Sequence, residues 1–412
     1  MTRLSAPPML PVSPVPESPV LPVSQASESP VLPVSPASEP PVFPVSPVDL
    51  LVVGAGVVGL AHAVEAVLRG LSVVVVERDA FAVGASVRNF GHICTTAQDG
   101  LALTYALAAR ERWLWLAGEA GFTALECGTV VVARRPDEMA VLAEFAAARG
   151  PEQVVLLNRS GVAAQLPAHD PEIVGGAHLP LDLRVDPRRA IPALAAWLAA
   201  RGVPILWRTN VLSVEPGLAR TARGDVRAAR TVIAVGHDVD RLLPEVADDA
   251  GLTRCSLQML QVAAPGGVRV GPGVLTGLSL LRYAGFASLP AAGPVRDRIG
   301  REAPELADAA VNLMFTQRPD GDLVLGDTHH YAPTHEPFDD ERLAELVLRE
   351  GARLLGVPGL RVRKRWRGVY ASAGTDFLDR EVAGGVRVVS VTSGIGMTTA
   401  HGLAAAVLDS LT

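Results

Sequence analysis

The chain has 412 residues, 49% of them apolar, enough to bury a sizeable core spread over two domains. A formal net charge of −6 with no basic block argues against nucleic acid as a partner, and no apolar run approaches the length needed to span a bilayer. Cys94, Cys127 and Cys255 form neither a CxxC pair nor a disulfide framework, so reduced thiols and a cytoplasmic location are expected.

Residues 1–47 carry a proline-rich repeat whose units begin at Glu17, Glu28 and Glu39. Proline fixes φ and removes a hydrogen-bond donor, so an extended, disordered leader is expected. A PxxP docking tail is the functional alternative, and a dispensable leader the simpler one.

Ordered structure is expected from residue 48. Strand residues Leu50–Val53 run into Gly54-Ala-Gly56-Val57-Val58-Gly59, a helix-patterned segment, a strand at Val73–Val76 and then Glu77. Gly54 permits a tight turn, Gly56 lets the backbone approach a pyrophosphate, and Gly59 lets helix and strand pack closely. The helix start offers unpaired N–H groups to phosphate, and Glu77 is placed to accept from ribose hydroxyls. This unit predicts a dinucleotide site, for FAD or NAD.

A loop at Arg78–Gly91 precedes a predicted helix near Ala97–Leu116, a strand at Glu126–Arg134, a helix over 137–149 and a strand at Val154–Leu157. Asp186 and Pro187 open a helix ending near Arg201-Gly202, followed by extended segments at Val203–Val214 and Val226–Val235. Residues 255–335 read as strand-rich, with a hairpin at Asp320-Gly321. A helix at Asp339–Leu355, strands at 362–372 and 386–392 and a helix after Gly396 complete the chain. The pattern predicts an α/β protein with a Rossmann-like nucleotide domain built from discontinuous pieces (48–135, 185–250 and 366–412). Residues 136–184 and 251–365 are assigned to a β-rich substrate domain.

Three further segments favour FAD. They are Gly84-Ala-Ser86-Val-Arg88-Asn89-Phe-Gly91, Arg230-Thr-Val-Ile-Ala-Val-Gly236, and Val391-Thr-Ser-Gly394-Ile-Gly396-Met397-Thr398. The last places a second helix N-terminus where it can face an anionic flavin ring. Together with the first glycine motif they resemble the D-amino-acid oxidase superfamily of flavoproteins, which includes glycine and sarcosine oxidases, over roughly residues 48–412. Leu257–Leu260, Leu281-Arg282-Tyr283-Ala-Gly285-Phe286 and Gly326-Asp327-Thr328-His329-His330-Tyr331 look closest to the phosphonate-catabolism-associated FAD-dependent oxidoreductases.

The resemblance implies oxidation of the C–N bond of a small anionic amine, 2-aminoethylphosphonate or an N-alkylated relative, by hydride transfer to flavin N5. The resulting imine would hydrolyse to aldehyde plus amine or ammonia, and O2 or an electron carrier would take the electrons. An oxidase of glycine, sarcosine or D-amino acids, a flavin dehydrogenase and a non-catalytic docking protein are the alternatives. Cofactor contacts are expected at Gly54, Gly56, Val57, Val58, Gly59, Glu77, Arg78, Ser86, Arg88, Asn89, Val211, Gly236, Gly394, Gly396, Met397 and Thr398.

An anionic substrate calls for arginine, whose fork donates paired hydrogen bonds. Arg282 with Tyr283 is the first candidate clamp, and Arg365 and Arg367 the second. His329 is a candidate to hydrogen-bond the substrate or tune amine protonation. Lys364, the only lysine among 37 Lys and Arg residues, is the one candidate for a lysine that promotes reaction with O2. His92 lies out of register with the covalent flavin attachment of some relatives, so non-covalent FAD is expected. No zinc-ligand spacing is evident.

Overall fold

In the computed structural model, residue 44 and residues 46–411 are described; the proline-rich repeats, and the disorder expected of them, lie outside the described residues. Five parallel strands form the nucleotide-side sheet, in the order Ile205–Leu206, Val73–Val76, Val48–Val53, Gly224–Ile233 and Val386–Ser393. The continuous apolar runs Leu50–Val53 and Val73–Val76, buried throughout, suit strands covered on both faces. On one face pack the helices Val57–Leu68, Gly100–Ala120, Pro187–Ala200 and Gly396–Leu411. Trp113 anchors that layer, fully buried, with its indole N–H on the Met397 carbonyl at 2.8 Å.

One strand of 22 residues, Val362–Ala383, carries this sheet into the rest of the molecule. Its second half pairs antiparallel with Val386–Ser393, and its first half pairs antiparallel with Thr253–Val262. Beyond Thr253–Val262 the same sheet continues through Leu323–Gly326, Met314–Gln317, Gly273–Thr276, Thr129–Ala133, Gly175–Leu179 and Val155–Asn158. The result is a mixed α/β fold in which a parallel nucleotide sheet and a mixed sheet share one continuous ladder.

Three expectations need correction. The strand expected to stop at 372 runs on to Ala383. Ser372-Ala-Gly-Thr reads as a turn, but the ladder absorbs it as an irregularity between Ser372 and Phe377 and then resumes. The region 255–335 contains helices Ala284–Ala287, Ala292–Glu302 and Pro304–Asp308 as well as strands. Pro294 and Gly300 mask the second of these, yet proline is tolerated in a first turn, and Val295 and Ile299 supply a buried i, i+4 stripe. The helix expected near Ala97–Leu116 spans Gly100–Ala120, with Asp99 extended at its start and Gly121, in the left-handed conformation, closing its end.

Candidate active site

The nucleotide cradle forms where the first strand meets the first helix. Gly54 has φ +107°, and a Cβ there would overlap the Ala234 carbonyl. A Cβ on Gly59 would strike the Gly54 carbonyl, so helix and turn are in backbone contact. The Glu77 carboxylate accepts from the Ala55 N–H at 2.8 Å and the Asp79 N–H at 3.0 Å, which fixes it at the end of its strand. Ser86 accepts from the Val57 N–H at 2.8 Å and so ties the following loop to the helix start.

From this cradle a single cavity of about 590 Å³ runs along the loop 82–90 to the second helix start at Gly394–Thr398 and on to Arg282. Of the cofactor positions expected from sequence, Gly54, Gly56, Val57, Val58, Glu77, Arg78, Ser86, Arg88, Asn89, Val211, Gly236, Gly394, Gly396, Met397 and Thr398 line it; Gly59 lies behind the lining. Arg78 reaches across to Asp238 at 2.7 Å. Asn89 is occupied within its own loop, donating to the Ala85 carbonyl and accepting from the Gly91 N–H. Open turns at Gly54 and Gly56, an acid at the ribose position and two helix N-termini on one cavity fit a flavin dinucleotide.

At the far end, Arg282, Tyr283 and His329 converge, while Lys364 does not. Lys364 is exposed on Val362–Ala383 and outside the cavity lining. Arg365 and Arg367 also face away, paired with Glu341 and Asp339 respectively. Arg282 follows the turn Gly277–Leu281 and is held from three directions. Its Nε donates to His329 Nε2 at 3.0 Å, and its Nη2 donates to the Tyr370 hydroxyl at 3.0 Å and the Ser393 carbonyl at 2.8 Å. Its Nη1 makes no hydrogen bond with the described residues, so one edge of the guanidinium is left for an anion. Burial disfavours the charge, but the phenol and carboxylate groups around it keep Arg282 protonated, above its ordinary range.

The tautomer of His329 follows from its neighbours. Nδ1 lies 3.0 Å from the Ala310 carbonyl and must donate, so Nε2 offers its lone pair to Arg282. Burial and the Arg282 charge push His329 down to about 3, which keeps the ring neutral. Burial also raises the Tyr283 hydroxyl well above its usual range, and that hydroxyl rests on Met314 Sδ at 3.5 Å.

Several participants were missed by sequence reasoning. Asp327, inside a motif already singled out for His329, is buried against Asn312, whose amide donates to its Oδ1 at 3.1 Å. Burial lifts Asp327 to about 7 despite the neighbouring Arg282. Tyr370 lies on the long strand with no local motif to mark it. His92, Cys94 and Asp182 also come together, with ligand-type atoms within 4.8 Å of one another. Asp182 lies 3.3 Å from His92 Nε2 and accepts the Thr96 N–H, and the His92 ring shares a hydrogen bond with the Thr129 hydroxyl.

A flavin-binding oxidoreductase is the class this fold and cradle define. The chain belongs to the DAO family of FAD-dependent oxidoreductases, whose family model matches residues 49–410. Comparison with curated proteins returns no match. Among solved structures, the chain is similar to glycine oxidase from Bacillus cereus, with 17% identity, a TM-score of 0.71 and 88% of this chain and 94% of that chain covered. L-proline dehydrogenase from P. horikoshii shares 18% identity at a TM-score of 0.72, covering 89% of this chain and 94% of that one. Iminodiacetate oxidase from Chelativorans shares 17% identity at a TM-score of 0.68, covering 88% and 96%. Among the described residues, no helix is long and apolar enough to cross a membrane.

Proposed function

We propose that the protein oxidises the C–N bond of a small anionic amine, with an aminophosphonate such as 2-aminoethylphosphonate or its N-methyl form as the favoured substrate. The observation that carries this reading is Arg282. It is a half-buried, charged side chain fixed by three hydrogen bonds, with a free guanidinium edge at the end of the cavity opposite the nucleotide cradle. An arginine that lines a cavity with unused donors is a receptor for a carboxylate or phosphonate. The solved relatives named for glycine, proline and iminodiacetate support a small anionic amine as the class. The phosphonate preference rests on the segments around Arg282 and Asp327.

FAD in the cradle supplies the two-electron acceptor. The chain's own residues do the rest. Arg282 binds the anion and thereby orients the adjoining carbon. Neutral His329 holds Arg282 in place through a lone pair without adding charge. Tyr283, Met314 and Phe90 line the cavity and restrict water. O2 or an electron carrier would take the electrons, and the cradle residues Gly54, Gly56, Glu77 and Ser86 would hold FAD without a covalent bond.

Product identification tests the proposal. Turnover of N-methyl-2-aminoethylphosphonate should release methylamine and phosphonoacetaldehyde in equal amounts, detected by NMR. A glycine, sarcosine or D-amino-acid oxidase would use the same Arg282 for a carboxylate, and glyoxylate formed from sarcosine, with the phosphonate untouched, would select that reading instead.

A further inference from the structure

Four acidic side chains line the cavity: Glu77, Asp79, Asp238 and Asp327. The first three belong to the nucleotide end and are already engaged. Glu77 accepts two backbone N–H groups, Asp79 lies 3.5 Å from Arg78, and Asp238 holds Arg78, Arg241 and Arg254. Asp327 alone shares the far end with Arg282, Tyr283 and His329.

Its two oxygens differ. Oδ1 accepts from the Asn312 amide at 3.1 Å. Oδ2 takes no hydrogen bond from any other described residue and opens onto the cavity. The polar atom beside it, His329 Nε2 at 3.9 Å, has its lone pair committed to Arg282 and no proton to give. Nor is the carboxylate needed to join its strand to Asn312, because the two residues already exchange backbone hydrogen bonds of 2.8 and 2.9 Å. A carboxylate oxygen that faces a ligand cavity gains a strong, charge-assisted hydrogen bond from a ligand that donates to it. The group that complements it is a cation with N–H donors.

We propose that Asp327 receives the ammonium of the substrate and accepts one of its protons, so that the end of the cavity recognises a zwitterion rather than a simple anion. This rests on the amine reading above and adds the second charge to it. The two distances through His329 Nε2 bound the separation of Arg282 Nε and Asp327 Oδ2 at about 7 Å, which puts the guanidinium and the carboxylate within reach of one small zwitterion. In the step itself an N–H bond breaks, an Oδ2–H bond forms, and the electron pair stays on nitrogen. The neutral amine is then the form from which hydride can leave the adjoining carbon.

The groups facing Asp327 are Arg282, which lowers its pKa, and Tyr283, Cys255 and neutral His329, which carry no charge near pH 7. Burial leaves it at about 7, basic enough to take the proton and ionised enough to attract the ammonium.

The test is anaerobic stopped-flow reduction of the holoenzyme and its Asp327→Asn variant between pH 6 and 10. 2-Aminoethylphosphonate and sarcosine are the reductants, and n-propylphosphonate and butyrate are amine-free ligands read by flavin absorbance. In the wild type, kred/Kd should fall about tenfold per pH unit below 7. In Asp327→Asn the loss at pH 7 should be about 100-fold and should be recovered as pH approaches the amine's own pKa, while the amine-free ligands bind as well as before. A wild-type profile flat between pH 6 and 8 overturns the proposal without any variant. A flavin-loaded variant whose loss is independent of pH, or absent, also overturns it. If neither amine reduces the wild type, the amine reading itself fails, and that outcome is visible before the variant is made.

Discussion

Acidification from pH 7.0 to 5.5 should lower the unfolding free energy by about 2 kcal/mol. His62, His401 and His329 are held neutral, with burial pushing them down to about 4, about 3 and about 3. In the unfolded chain each would titrate near 6.5. Between those values the unfolded state binds more protons than the native one. The stabilisation is therefore present above pH 6.5 and lost as pH falls toward the folded values. Over this interval each imidazole costs about 1 kcal/mol. Asp327 acts in the opposite sense. Its folded pKa of about 7 lies above the ordinary 3.8, so the native state takes up that proton first and regains a little under half of what the three imidazoles lose. Burial lowers His178 and His237 as well, and both add to the loss. The assay is urea unfolding followed by tryptophan fluorescence, with FAD at one fixed excess so that mass action from the cofactor stays constant. His401→Leu, which removes an imidazole packed against Trp113, should shrink the loss to about 1 kcal/mol. Stability that is flat or rising on acidification, or a His401→Leu slope equal to the wild type's, would refute the linkage.

Other outcomes follow from the same geometry. Gly59→Ala drives a methyl group into the Gly54 carbonyl, so the purified variant should carry little flavin, read as the ratio of 450 to 280 nm absorbance. Arg282→Met removes the anion's partner and leaves the Tyr370 hydroxyl and Ser393 carbonyl without their donor; kred/Kd for anionic amines should fall by about 2–5 kcal/mol, roughly 30-fold or more, with FAD retained. Lys364→Met alters an exposed side chain outside the cavity, and the rate of flavin reoxidation by O2 should change less than about twofold. Acid precipitation of the holoenzyme should leave its flavin in the supernatant, as a non-covalent cofactor requires; yellow pellets would point to a covalent bond.

The nucleotide half of the cavity was legible because its parts are local. Gly54, Gly56, Gly59 and Glu77 sit within one strand–helix–strand unit, and each residue type there has one dominant physical use. Gly394–Thr398 is readable for the same reason, as a strand giving way to a helix start. The substrate end is assembled from segments far apart in sequence. Arg282 comes from a turn, Asn312 and Asp327 from two neighbouring strand ends, and Tyr370 from the long connecting strand. Nothing in their local sequence announces that they meet. Arg282 could be singled out because an anionic substrate needs an arginine, and His329 from its motif, but the other two anchors, Tyr370 and Ser393, could not. Asp327 was passed over because an acid after Gly326 reads as turn chemistry, and only burial, an amide on one oxygen and a place on the cavity wall distinguish it. Lys364 shows the reverse. Its composition made it conspicuous as the lone lysine, but alternation along a strand cannot say which face meets the cavity.

The most direct test of the central claim is anaerobic bleaching of the flavin by a panel of amines. With residues 48–412 purified as the yellow holoenzyme, 2-aminoethylphosphonate or its N-methyl form should reduce the 450 nm band rapidly, while n-propylphosphonate should not. Reduction by sarcosine or D-alanine alone would keep the cofactor and the anion clamp but contradict the phosphonate preference. A flavin that no anionic amine reduces would contradict the assignment of Arg282 and its neighbours as an amine-oxidising site.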